Sequence, residues 1–474
     1  MNWEFKKYPM HIGGRQAGSV FNTGQAFMSR SAVVGNLIFL SSASGMNLKT
    51  GEVAAKQLEK QVTTAFDNIR LALEEAGSSM NNLVKNYVFL KNAADCPRMW
   101  QTMLEYFQKH APELVAEPPA ACISEVTALA KPEYLVEIDA IGVVSKDMPG
   151  WEVKKYPMNI GGRQAGPVFN TGQVYPNIKP GVPPVSSTGQ AFMSESVLVG
   201  NLLFLSAMDA TNPNSGKIET NVFEEQWRAA LDKARAALDR ADTSMSNIIK
   251  TLHFQAKVEG LLAGAQDVFR SHSPASDRLW KTELEYFDMY APYLIDEPPG
   301  STFLKVSALP NPDALGQTDI IGVISRYRPG WEVRKYPTYI GRRGFPRHMG
   351  DIKKYYANTV RVGNLVIVSG QTATDVYTAR IESDVFEEQM KVTLMNLKET
   401  LEETGSSLEN LVKTHMLVPE PANTATMRKV ELEFYQKYAP SLVEEPPAST
   451  VVHPLSLASP KLLIEIEAIA YIPL

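Results

Sequence analysis

The sequence predicts an α+β fold repeated three times along one chain, on three observations. First, Trp3-Glu4-Phe5-Lys6-Lys7-Tyr8-Pro9 returns as Trp151-Glu152-Val153-Lys154-Lys155-Tyr156-Pro157 and again as Trp331-Glu332-Val333-Arg334-Lys335-Tyr336-Pro337. Second, three more markers recur in the same order: Val34-Gly35-Asn36-Leu37, Leu104-Glu105-Tyr106-Phe107 and Glu117-Pro118-Pro119 have counterparts at 199–202, 284–287 and 297–299, and at 362–365, 432–435 and 445–447. Collinear recurrence of this kind marks internal repeats. Third, the apolar pattern within a copy runs β-β-α-β-α-β-β, which suits helices on one face of a sheet. Pro149-Gly150 and Pro329-Gly330 punctuate the chain before the second and third Trp, so the repeats span 1–150, 151–330 and 331–474.

Each element has a local cause. The Gly-Asn pair between two apolar runs suits a type II′ turn, so each copy opens with a hairpin. Ala65, Phe66, Ile69 and Leu73 before Gly77, and Leu394, Leu397 and Leu401 before Gly405, give an amphipathic helix with a glycine stop. Residues 84–90 and 412–418 are rich in β-formers, the Leu-Glu-Tyr-Phe motif lies on a second helix, and 121–129 and 135–144 read as closing strands. The second copy has two insertions, a Pro- and Gly-rich loop at 174–187 and a segment at 257–276. Either of them is a lid or a surface insertion that costs little.

Composition narrows the function. With 474 residues, 44% of them hydrophobic and 21% charged, the chain belongs among soluble globular proteins. A net charge of -5 supplies no cationic excess for phosphate backbones, which argues against nucleic acid as a partner. The N-terminus lacks the apolar core of a secretory signal, and the apolar runs fall short of the roughly 18–20 residues that span a bilayer. A cytoplasmic protein with no membrane partner is expected. Two cysteines, Cys96 and Cys122, make no disulfide framework, and the histidines show no metal-ligand spacing, so neither a metal nor a cofactor is expected.

Val-Gly-Asn-Leu-x-x-x-Ser, the helix beginning near Gln61, Gln226 or Gln389, and Glu465-Ile466-Glu467-Ala468-Ile469-Ala470 together resemble the YjgF/Rid (reactive-intermediate deaminase) family. That resemblance implies three tandem chorismate-mutase-like domains packed as an intramolecular pseudo-trimer, with a small-molecule cleft between neighbours. It also implies a monomer or low-order homo-oligomer. Rid deaminases resemble one another in an Arg after Pro-Ala that holds the substrate carboxylate while water adds to a C=N carbon. This chain has Ala121, Ser301 and Ser449 there, and losing a charge-assisted contact forfeits roughly 1.5–3 kcal/mol of binding. The implied activity is therefore a hydrolase or deaminase-like reaction at a C=N or C–N bond, distinct from ordinary 2-imino-acid deamination. The alternative is a non-catalytic metabolite-binding or holdase-like module.

The third copy keeps most of the family pattern, with Tyr356, Ser369-Gly370-Gln371 and Glu465; the first has Glu137, and the second has Gln317 in its place. Glu465 and Glu137, on apolar strands, are the candidate proton carriers, with Ser369 and Gly370 orienting water. Tyr356, Gln371, Ser449 and Cys122 are expected around the substrate. The Gly-Gly-Arg-Gln-Ala-Gly runs at 13–18 and 161–166, and Gly341-Arg342-Arg343-Gly344, bring Arg15, Arg163 and Arg342 as replacement anion anchors or as an interdomain clamp. His253 and His415 sit one position apart in their central strands and should face opposite sides of the sheet.

Overall fold

The structure is a computed structural model that describes residues 3–12, 15–16, 27–160, 163–164, 192–212, 215, 217–256, 274–337, 356–375 and 380–473. Arg342, the loop at 174–187 and most of 257–276 lie outside the described residues.

The elements read from the sequence are present in each repeat, but the hairpin does not come first: a Trp-led strand, Phe5–Pro9, Val153–Pro157 or Val333–Pro337, precedes it and pairs antiparallel with its first strand. The hairpin strands are Ser29–Val34 with Leu37–Leu40, Ser194–Val199 with Leu202–Leu205, and Ala357–Val362 with Leu365–Thr372. At their turns Gly35, Gly200 and Gly363 take φ near +60° while the following Asn does not, as a type II′ turn requires. The first helices, Leu58–Glu75, Phe223–Arg240 and Phe386–Glu403, begin three residues before the recurring Gln. That Gln is a buried strut: Gln61 Nε2 donates to the carbonyls of Ala54 and Glu133, and its Oε1 accepts from the Leu135 amide.

The order of pairing brings the functional strands together. The last strand of each repeat (Val136–Val143, Gly316–Val323, Glu465–Tyr471) lies antiparallel between the second hairpin strand and the central strand (Leu83–Leu90, Ile248–Gln255, Leu411–Leu417). The central strand runs parallel to the penultimate one, Ala120–Glu125, Gly300–Lys305 or Ala448–Val452. The penultimate strand then meets the first hairpin strand of the next repeat, through Ala120 with Ser194, Gly300 with Ala357 and Ala448 with Ser29. The last of these pairs joins repeat 3 to repeat 1, so the strands close on themselves.

Burial follows from that closure. One apolar core, built by all three repeats, fills the inner face of the sheet, and three separate cores lie between the outer face and each repeat's own helices. Trp3, Trp151 and Trp331 meet edge to face at centroid distances of 4.4–5.1 Å. Each indole sits on the hairpin turn of the preceding repeat: a Cβ at Gly35, Gly200 or Gly363 would lie 2.5, 2.7 or 2.7 Å from Trp151, Trp331 or Trp3.

Candidate functional site between repeats

The serine of the Val-Gly-Asn-Leu-x-x-x-Ser motif is a fastener at all three junctions. Ser41 Oγ donates to the Ser29 carbonyl (2.6 Å) and accepts from the Ser449 amide (2.7 Å). Ser206 does the same with Ser194 and Ala121, and Ser369 with Ala357 and Ser301. With its one proton spent on the Ala357 carbonyl, Ser369 is not free to donate to a water. Nor is the Gly370 amide, which donates to Thr302 Oγ1 at 3.0 Å.

Beyond the fastener the junctions differ. Between repeats 3 and 1 a cavity of about 190 Å³ opens, walled by Arg30, Ser42, Tyr134 and Glu137 of repeat 1 and by Ser449 and Val451 of repeat 3. One water needs roughly 10–15 Å³ by this measure, so the cavity has room for a small organic molecule. Glu137 is 5% exposed. Ser42 Oγ donates to its Oε1 at 2.7 Å, while Oε2 is buried without a hydrogen-bond partner. Burial raises its carboxyl to about 7, against the lowering effect of the Ser42 bond. Arg30 pairs with Glu75 at 3.2 Å, and its buried Nε has no partner. Behind Ser449 stands Arg428, whose Nη2 reaches Ser449 Oγ at 3.3 Å while Nη1 pairs with Glu431 at 2.6 Å.

Between repeats 2 and 3, Glu465 is buried with Oε2 unpartnered, and burial raises it to about 8. Gly370 makes room for it, since a Cβ there would fall 1.7 Å from Glu465 Oε1. Half-buried Tyr356 packs near Trp280 of repeat 2 at 6.0 Å between ring centroids and lies in the field of Glu465. Gln371 turns away, donating to the Ser369 carbonyl and accepting from Thr400. Between repeats 1 and 2, Gln317 donates to the Ile123 carbonyl at 2.8 Å, so an amide closes the place where the other junctions keep an acid.

The expected site residues are therefore divided. Glu137 and Ser449 share one junction; Glu465, Gly370 and Tyr356 share another. Cys122 requires a correction: strand alternation turns Ala121 outward and Cys122 into the common inner core, where burial pushes the thiol well up, so it is not a cleft nucleophile or ligand contact. The backbone of Arg15 and Arg163 pairs with Ile12 and Ile160; their side chains, like Arg342, lie outside what is described.

A second charged assembly went unread in the sequence. Lys85, Lys250 and Lys413 stand at one register of the central strands and point inward, each pairing with a carboxylate of the next repeat: Lys85 with Asp319, Lys250 with Glu467 (3.0 Å) and Lys413 with Asp139 (2.6 Å). His415 lies between Asp139 (2.7 Å) and Glu467 (3.5 Å). Burial opposes its charge, but the two carboxylates raise it overall. Asp139, despite burial, is drawn down to about 2 by Lys413 and His415. His253 faces the helices instead, between Trp227 and Trp280, as its offset implied. The signal for this assembly was a lysine recurring at the third position of the three central strands.

The family model described as Endoribonuclease L-PSP matches residues 23–144, 188–318 and 349–472. A RutC family protein of Pyrococcus abyssi is 35% identical over 113 residues, covering 24% of this chain and 83% of its own. A 2-iminobutanoate/2-iminopropanoate deaminase of Escherichia coli is 34% identical over 110 residues, covering 23% and 81%. Among solved structures, the YjgF gene product of E. coli is 27% identical and covers 30% of this chain and 100% of its own, with a TM-score of 0.25.

Proposed function

The chain belongs to the endoribonuclease L-PSP family, three times over, and on that premise we propose that it is a deaminase-like hydrolase working in the cleft between repeats 3 and 1, within a pseudo-trimer made by one chain. The observation that carries the reading is Glu137: a buried carboxyl held near 7, one oxygen fixed by Ser42 and the other without a hydrogen-bond partner, in the wall of a cavity of about 190 Å³. A group poised near neutral pH serves as both acid and base. Protonated, Glu137 gives its proton to an imine nitrogen. Ionised, it takes a proton from the water that adds to the carbon, and the resulting carbinolamine expels ammonia to leave a carbonyl.

The substrate differs from simple 2-imino acids, because Ser449 stands at the family's Arg position and Arg428 behind it is already paired with Glu431. Arg30, with a free Nε on the cleft wall, is the described cation nearest to that task. The amide-closed junction at Gln317 favours a second reading in which a cleft binds a metabolite without turning it over.

The test is ammonia release from a panel of imines generated in situ and from primary amides, with ring-opened amino acid as the product followed for lactams. Glu137→Gln should cut turnover by roughly 10²–10⁴, with Glu465→Gln as the comparison. Turnover undiminished in Glu137→Gln, or calorimetric binding with no product from any compound, would overturn the assignment.

A further inference from the structure

One hydroxyl joins the acid in the cleft to the ion pairs on the barrel axis. Thr450 Oγ1 accepts from Lys413 Nζ (2.7 Å) and from the Ser42 amide (3.2 Å), and donates to Asp139 Oδ2 (2.5 Å). The same Asp139 oxygen accepts from His415 Nε2 at 2.7 Å, and Ser42 donates its own hydroxyl to Glu137. A hydroxyl with three partners fixes all of them in direction.

The other junctions serve as internal comparisons. At the junction of repeats 2 and 3, Thr302 Oγ1 likewise accepts from Lys250 (2.6 Å) and from the Gly370 amide. Gly370 has no hydroxyl, so the connection stops before Glu465. At the junction of repeats 1 and 2 the threonine position is Cys122, Lys85 donates to the Leu205 carbonyl and to Asp319, and the Ala207 amide donates to the Ala121 carbonyl at 2.9 Å. Only beside the open cavity does the connection run unbroken among the described residues, from His415 on the axis to the cleft acid.

Building on the function proposed above, we propose that Thr450 is a positioning residue, and that through it the charge of His415 and Asp139 on the barrel axis governs the proton affinity of Glu137 in the cleft. Both His415 nitrogens face carboxylate oxygens, which only accept hydrogen bonds, so the ring is held as a cation and offsets Asp139. The charged or titratable groups facing Glu137 are Asp139 on its own strand, Lys413 and His415 on the central strand of repeat 3, Arg30 on the first hairpin strand, and Tyr134 in the preceding loop. Removing the Thr450 hydroxyl frees Ser42 to turn from Glu137, and removing His415 leaves Asp139 less neutralised. Both changes disfavour the Glu137 carboxylate and act in the same direction.

The test reads the acid itself, without a substrate. Infrared difference spectra of the protonated carboxyl band between pH 5 and 9, with the Glu137→Gln spectrum subtracted to assign the band, give the Glu137 midpoint. Thr450→Val and His415→Leu should each move it upward by about one pH unit. Thr450→Ser should restore the wild-type curve, and Thr302→Val should leave Glu137 unmoved. Thr450→Cys copies a residue that the sister junction already carries, and stands in should Thr450→Val fold poorly. Midpoints in Thr450→Cys and His415→Leu that coincide with wild type would overturn the coupling whether or not any compound is turned over. Shifted midpoints with no turnover would overturn only the hydrolase reading.

Discussion

Replacing Asp139 with Asn removes one oxygen that accepts from Lys413, His415 and Thr450 at 2.6, 2.7 and 2.5 Å. The cost has two independent estimates. A carboxyl drawn from its usual 3.8 to about 2 is favoured in the folded state by about 2–3 kcal/mol, each tenfold change being worth a little over 1 kcal/mol. Removing one partner of a buried ion pair costs about 3–5 kcal/mol. Asp139→Asn should therefore lose about 2–5 kcal/mol at pH 7 by equilibrium denaturation. The sign with pH follows from the depressed value: this stabilisation is complete above the unfolded value near 3.8 and is lost as pH falls through about 2, so wild type and variant should converge in acid. Asp319→Asn is the control. It occupies the same ladder position, yet burial leaves its carboxyl raised despite Lys85, so its neutralisation should cost distinctly less. Equal losses for the two variants, or an Asp139→Asn transition that superimposes on wild type at pH 7, would refute the electrostatic account of this junction.

Three other outcomes are expected. Glu137→Gln should lower kcat/KM by roughly 10²–10⁴, and wild-type activity should change with an apparent midpoint near the acid's value of about 7, measured as a pH–rate profile. Gly370→Ala places a Cβ 1.7 Å from Glu465 Oε1 and should destabilise by about 1–3 kcal/mol, displacing the Glu465 carboxyl band while sparing that of Glu137. Trp3→Ala, emptying a site in contact with both sister indoles, should cost about 3–5 kcal/mol; a melting curve identical to wild type would mean that the indole cluster contributes little.

The hairpins and the amphipathic helices were legible because each rests on local chemistry: a Gly-Asn pair at a tight turn, an apolar period, a glycine stop at Gly77 with φ +77°. The raised acids were legible too, since a glutamate amid apolar strand neighbours must be desolvated. Ser369 and Gly370 misled because the motif reveals that their polar groups matter without revealing to whom they are bonded. Their partners, Ser301 and Thr302, are 68 residues away. Cys122 was placed one face wrong, a period-two error that a single step in register produces. Arg428 escaped notice because its partner Ser449 is 21 residues away on a different element, and Thr450 because its role depends on which repeats become neighbours, which closure of the sheet decides.

Closure also makes the three junctions unequal in a way that composition cannot. Chain continuity ties repeat 1 to repeat 2 and repeat 2 to repeat 3, but no peptide bond crosses from repeat 3 to repeat 1. That seam is held by the Ala448–Ser29 pairing, the Thr127 bonds to His453, Lys413 with Asp139, and Trp3 on Gly363. The rest of the chain keeps its two sides at a high effective concentration, so a parted seam recloses rather than dissociates. The cavity with the neutral-range acid lies at this unstitched edge. A bound molecule that touches both sides would serve there as the missing stitch, and the chain's resistance to unfolding would then rise with ligand concentration.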